Sequence, residues 1–269
     1  ELFDKSDRRY LHPFINCTSC GPRLTILDAM PYDRERTSMG AFPMCPACRY
    51  EYTHAETRRY DAQPVCCNDC GPHVYLLGGE ERDHAAITRA RHVLQAGGIV
   101  AVKGIGGFHL ACDARNEAAV QRLRERKSRP QKPFAVMLRG LDAVRRECRL
   151  RDAQKAHLDN HQKPIVLLEK SGSGKIAASV APAMPSLGVM LPYTPLHLLL
   201  FSLPDELADF TDCLVMTSGN PSGAPICRTD EDALDALSSI ADLILSHDRE
   251  IRLRADDSVM DFYEGAPYM

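Results

Sequence analysis

In residues 86 to 96 apolar side chains recur every three to four positions and stop at Gly97-Gly98, the pattern of an amphipathic helix closed by glycine. The unbroken apolar run Ile99-Val100-Ala101-Val102 that follows predicts a buried strand. The same reasoning predicts a helix over 116 to 126 and a strand over 133 to 138. Further strands are expected at 164 to 168, 187 to 191, 213 to 217 and 242 to 246, with helices near 141 to 160, 195 to 202 and 230 to 240. Alternation of this kind predicts an α/β domain built on an α+β mixed twisted sheet. Before Gly78-Gly79 the texture is different: cysteines, tyrosines and turn residues with little periodicity. The change places a domain boundary between 78 and 85, with a cysteine-rich region over 1 to 78 and the α/β domain over 79 to 269.

The cysteine-rich region contains a repeat. Arg8-Arg9-Tyr10, Pro13 and Cys17-Thr18-Ser19-Cys20-Gly21-Pro22 return fifty positions later as Arg58-Arg59-Tyr60, Pro64 and Cys67-Asn68-Asp69-Cys70-Gly71-Pro72. In the second copy Cys45-Pro46-Ala47-Cys48 lies upstream and supplies a second knuckle. Two tight Cys-x-x-Cys turns can place four thiolates around one Zn²⁺, so Cys45, Cys48, Cys67 and Cys70 are the expected ligands of a structural zinc. Cys66 is an alternative to Cys67, and the fifty-residue register selects Cys67. Shifted back by fifty, the leading pair falls before Glu1, so the chain is expected to begin inside its first module. Cys17 and Cys20 are then half of another metal site. A redox-active Cys-x-x-Cys would call for an adjacent βαβ pattern, which is absent here. Cys112, Cys148, Cys213 and Cys227 stand singly among apolar neighbours and are expected as small buried residues.

Composition narrows the function. The 269 residues are 44% apolar and 26% charged, with a formal charge of −3, which fits a folded protein and argues against sequence-independent coating of nucleic acid. No run reaches the length of a membrane helix, and the first ten residues lack the order of a signal peptide, so no membrane association and a cytoplasmic location are expected.

Three segments of the α/β domain can carry chemistry. Lys103-Gly104-Ile105-Gly106-Gly107-Phe108-His109 follows a strand; its glycines let backbone N–H groups approach an anion, and Lys103 adds charge. It is equally a plain glycine-rich turn. Arg124 to Pro133 concentrates cations at a helix end, which either bind phosphate or form a solvated terminus favoured by the helix dipole. Met216 to Gly223 sets small polar residues at a strand's carboxyl end, where they either line a phosphate site or cap a turn. Ser171-Gly172-Ser173-Gly174-Lys175 resembles half a P-loop but lacks the spacing and the following hydroxyl, and is expected to be a loop.

Taken together, Val100 to Ala114, Lys127-x-Arg129-Pro130 and Thr217-Ser218-Gly219-Asn220 resemble the YrdC-type family, which makes threonylcarbamoyladenylate from ATP, bicarbonate and threonine. The resemblance implies a YrdC-like fold and ATP phosphates held by Lys127, Arg129, Ser218 and Asn220. The chain departs from that family at Lys103 to Gly107, where a threonine-containing Pro-Thr segment is usual. Combined with the cysteine repeat, Pro13-Phe14-Ile15-Asn16-Cys17 and Lys103 to Leu110, the chain resembles the HypF-type hydrogenase maturation carbamoyltransferases. That resemblance implies that carbamate from carbamoyl phosphate reacts with ATP and Mg²⁺ to give carbamoyl-adenylate and diphosphate. Transfer to the carboxy-terminal cysteine of a HypE-type maturation protein, on the route to cyanide ligands, is then implied. Lys103, Gly106 and Gly107 are expected to line the acyl side of the pocket. The acylphosphatase-like and transferase domains of such proteins are not found in these residues. Alternatives are a threonylcarbamoyladenylate synthase, an antibiotic O-carbamoyltransferase relative, and a zinc-ribbon RNA-binding protein.

Overall fold

The computed structural model describes residues 1–269 apart from 19, 20, 208 and 209. With strands numbered in chain order, a ten-stranded twisted sheet runs β1 (Val74–Leu76), β8 (Leu243–His247), β2 (Val100–Lys103), β3 (Phe108–Asp113), β7 (Cys213–Ser218), β4 (Ala135–Leu138), β6 (Ser186–Met190), β5 (Ile165–Glu169), β9 (Val259–Tyr263) and β10 (Ala266–Tyr268). The pairs β2/β8, β4/β6 and β5/β9 are parallel and the others antiparallel, so the expected mixed sheet is present. Helices cover both faces, which is why the central strands are apolar throughout rather than alternating. Ala101, Leu110, Cys112, Val136 and Val215 pack on one face with α3 (Glu117–Arg126), α4 (Leu141–Glu147) and α7 (Asp230–Leu237). Val100, Val102, Ala111, Met137 and Leu214 pack on the other with α2 (Asp83–Gln95) and α6 (Pro195–Ser202).

The expected elements are found, with two corrections. The helix anticipated over 141 to 160 is broken into α4 and α5 (Asp152–Leu158), because Cys148 leaves the helix to bridge Lys170. The Glu147 carboxylate, buried at the break, pairs with Arg115 at 2.8 Å. Strands β1, β3, β9 and β10 were not anticipated, and β3 occupies the centre of the sheet. Cys112, Cys148, Cys213 and Cys227 are all buried, as expected. Residues 171–175 form a loop without helix or strand.

In the cysteine-rich region, Cys45 precedes α1 (Pro46–Thr53), whose first turn carries Pro46, a residue that has no amide to leave unpaired there. The fifty-residue repeat is expressed as an exchange of ion pairs. Arg9 binds Glu51 and Arg59 binds Glu1, at 2.6 Å for the latter. Both the two arginines and the two glutamates are fifty positions apart, so each copy's arginine holds the other copy's glutamate.

Candidate active site and metal centre

The thiol sulfurs of Cys45, Cys48, Cys67 and Cys70 lie within 4.8 Å of one another. Four sulfurs about 2.3 Å from one zinc sit roughly 3.8 Å apart in a tetrahedron. Cys45 to Cys67 is 3.8 Å and Cys67 to Cys70 is 3.9 Å, so the donor set fits the metal. Arg8 donates to Cys45, Cys48 and Cys67 at 3.1 to 3.3 Å, placing one cation against a cluster that is anionic when deprotonated. Burial opposes ionisation of Cys45, but the Cys48 amide and Arg8 outweigh it and bring that thiol down to about 6. Cys66 points away from the cluster, its sulfur 3.3 Å from His12. Cys17 is exposed, and Cys20 lies outside the described residues.

At the carboxyl end of β7, the cation-rich segment after α3 meets the polar turn 217–223. Asn116 caps α3 by accepting from the Ala119 amide, and the helix ends at Lys127. Ser128 has φ +51°, the left-handed turn that reverses the chain and brings Arg129 back over the helix end. Buried Arg124 fixes this loop by donating to the carbonyls of Arg129 and Lys132 at 2.7 and 3.1 Å while lying over the Phe134 ring. Part of the cation cluster is therefore scaffold.

Lys127, only 2% exposed, donates to the carbonyls of Ser218 and Asn220, each at 2.6 Å, and to Asn220 Oδ1 at 2.9 Å. Ser218 Oγ donates to the same Oδ1 at 2.7 Å, and Asn220 Nδ2 to the Ala224 carbonyl. Arg129 donates to the Pro133 carbonyl at 2.7 Å and approaches Thr217 Oγ1 at 3.5 Å. Every hydrogen-bond partner of these two cations is a neutral oxygen. Burial, reinforced by neighbouring Arg129, pushes Lys127 down to about 8, and Asp256 is the nearby carboxylate that opposes the shift. Two cations crowded together on dipoles rather than counter-charges leave an excess of positive potential, which suits an anion such as a phosphate chain.

Four of the seven expected site residues, Lys127, Arg129, Ser218 and Asn220, are thus brought together. Lys103 is not among them. Strand alternation turns it, with Ala101, toward the face of α7, where it binds Asp230 at 3.0 Å and the His247 carbonyl at 2.9 Å. Gly107 packs against Ile226, leaving no room for a Cβ. Gly106 abuts the Ala255 carbonyl and lines a cavity of about 360 Å³ with Ile105, Tyr193, Asp256 and Asp257.

Sequence reasoning missed a buried group beside that cavity. His109 pairs across the sheet with Ser218, so their side chains share a face. Its Nε2 is 2.9 Å from Asp257 Oδ2, and its ring stands edge-on to His197, which in turn meets Tyr193. Burial works against the Asp257 charge, but His109 and Tyr193 keep its carboxyl below the usual range. His109 Nδ1 and both ring nitrogens of His197 are buried with no hydrogen-bond partner among the described residues. These four residues come from three segments, with Tyr193 and His197 four positions apart at the start of α6; the other sequence signal was the acidic pair Asp256-Asp257 just before β9.

Comparison with known proteins identifies relatives of this sequence and fold. The Sua5/YciO/YrdC family model, described as telomere recombination, matches residues 92–269, and the HypF finger model matches 1–27 and 44–77. The carbamoyltransferase HypF of Rhodobacter capsulatus is 52% identical over 254 residues, covering 94% of this chain and 33% of that protein. A crystal structure of full-length HypF in the phosphate- and nucleotide-bound form superposes with TM-score 0.92 at 47% identity, covering 99% of this chain and 34% of the other. The HypF of T. kodakarensis gives TM-score 0.92 at 42% identity, covering 99% and 35%. The chain spans about a third of the length of the relatives it matches. The HypF finger followed by a domain that matches the Sua5/YciO/YrdC model over residues 92–269 places the chain in the Sua5/YciO/YrdC family, as a member of its HypF type.

Proposed function

We propose that this chain is the carbamate-activating part of a hydrogenase maturation carbamoyltransferase, with a zinc-bearing region over 1–78 and a nucleotide domain over 79–269. A carbamate oxygen attacks the α-phosphorus of ATP, the bond to the β-phosphate oxygen breaks, and carbamoyl-adenylate and diphosphate result. Negative charge grows on the leaving diphosphate. Lys127 and Arg129, anchored on neutral oxygens, offset it, while Ser218 and Asn220 fix the register of the phosphates. Mg²⁺ accompanying the nucleotide would neutralise further phosphate charge. No protein nucleophile takes part. Carbamoyl-adenylate hydrolyses if released, so its carbamoyl group passes on directly toward the carboxy-terminal cysteine of a HypE-type partner, in the cytoplasm. No described helix is long and apolar enough to cross a membrane.

The observation that supports this reading most is the pairing of Lys127 with Ser218 and Asn220 without a carboxylate. ATP–diphosphate exchange dependent on carbamate tests it. Lys127→Ala and Asn220→Ala are expected to lower exchange tenfold or more, about 1.4 kcal/mol or above. Lys175→Ala, in the exposed loop 171–175, is expected to change little; equal losses at the two lysines would refute the assignment.

A further inference from the structure

Six arginines are buried among the described residues, and five are committed. Arg9, Arg59 and Arg91 pair with Glu51, Glu1 and Asp205, while Arg34 and Arg124 donate to backbone carbonyls. Arg249, 8% exposed, is the sixth. Its guanidinium lies 5.0 Å above the Phe14 ring and makes no ion pair or side-chain hydrogen bond with any described residue. Removal from water brings it down to about 10, and only Cys66 and Tyr32 act in the opposite direction. A buried, uncompensated cation is costly, and the cost is recovered when an anion is bound.

The place is shaped for a small one. Arg249 lines a cavity of about 300 Å³ whose other walls include Phe14, Ile15 and Asn16. Ile105, Gln162 and Tyr193 belong both to this cavity and to the neighbouring one that reaches Gly106 and Asp257. A planar carboxylate matches the guanidinium fork through two parallel hydrogen bonds, and the apolar Phe14 wall suits a flat anion with one charge.

We propose that Arg249 is the receptor for a small carboxylate of carbamate's shape, holding it next to the acyl cavity with Tyr193 as the shared wall. The carboxylate's identity as carbamate rests on the function proposed above; the anion site itself does not.

Acetate, the stable isostere of carbamate, is the probe. In the ¹⁵N-labelled chain one arginine Nε–H signal, absent from Arg249→Met, is expected to shift saturably with acetate, with Kd on the order of 1 mM. Inorganic phosphate is expected to bind at least tenfold more weakly. Arg249→Met should melt no lower than the parent, because it removes an unpaired buried charge, and Arg249→Lys should keep the charge yet lose most of the acetate response. In exchange assays Arg249→Met should raise the KM for carbamate tenfold or more and leave that for ATP unchanged. An unresponsive signal, equal acetate responses in parent and Arg249→Met, or preference for phosphate would overturn the proposal. A parent chain that binds acetate at Arg249 but shows no exchange would sink the adenylation reading alone.

Discussion

Lys127 connects the fold to the proposed chemistry. Its ammonium is held on three oxygens and desolvated, so the proton leaves near pH 8 rather than at the usual value of 10.5. A depressed lysine pKa means that the folded chain loses this proton before the unfolded chain does. This group's contribution to stability therefore rises with pH between about 8 and 10.5. Anion binding runs the other way, since it requires the charged form. Affinity for ATP should be level below about pH 8 and fall above it, by as much as tenfold per pH unit. Lys127→Gln should bind weakly with no such fall. A parent profile level from pH 7 to 9.5 would show that Lys127 does not face the phosphates. That Lys127, Arg129, Ser218 and Asn220 belong together was legible through a family pattern, not through spacing, because ninety residues separate the two halves. The fate of Lys103 was not legible. Its acceptor Asp230 lies far along the chain at the start of α7, where Ser246 of β8 and Tyr75 of β1 also bind it, so the contact exists only in the folded sheet.

Among the elements, β7 and the turn after it set the geometry of the site. Gly219 sits where an added Cβ would come within 2.7 Å of the Phe108 Cβ and carbonyl oxygen, so a side chain there forces β3 and β7 apart. Gly219→Ala is expected to cost about 1 to 3 kcal/mol and to weaken ATP binding by displacing Ser218 and Asn220. Gly140→Ala, at an extended backbone position with nothing within 4 Å, should leave both unchanged. Melting curves and nucleotide titrations of the two variants check this, and equal melting would remove the close contact from the account. Strong periodicity made α2, β2, α3 and β7 readable. β3 escaped because Phe108-His109-Leu110-Ala111-Cys112-Asp113 follows a glycine-rich turn and carries two polar residues, which hid a strand at the sheet centre. The break after Glu147 escaped for a different reason. The apolar pattern continues across it, and a tertiary bridge from Cys148 to Lys170 ends the helix.

In the molecule as a whole, the finger region and the sheet share structure: Val74–Leu76 emerges from the second cysteine knuckle and pairs with β8. The cysteine cluster is therefore expected to support the edge of the sheet. Cys45→Ser should lose about one zinc per chain and lower the melting temperature, as should a strong chelator. Unchanged metal content and melting in that variant would mean that the four sulfurs do not hold a metal. The repeat was legible in the sequence, but the exchange of Arg9 and Arg59 between Glu51 and Glu1 required the fold. The central claim concerns the acyl substrate. Near the glycine turn the chain places the His109–Asp257 pair and a small cavity, on the same side of the sheet as the groups proposed to bind phosphate. The most direct measurement is ATP–diphosphate exchange by this chain at about pH 7.5 to 8 with carbamate, supplied by carbamoyl phosphate with an added acylphosphatase, beside exchange with threonine and bicarbonate. The account predicts exchange with carbamate and no stimulation by threonine; exchange that requires threonine and ignores carbamate would contradict it.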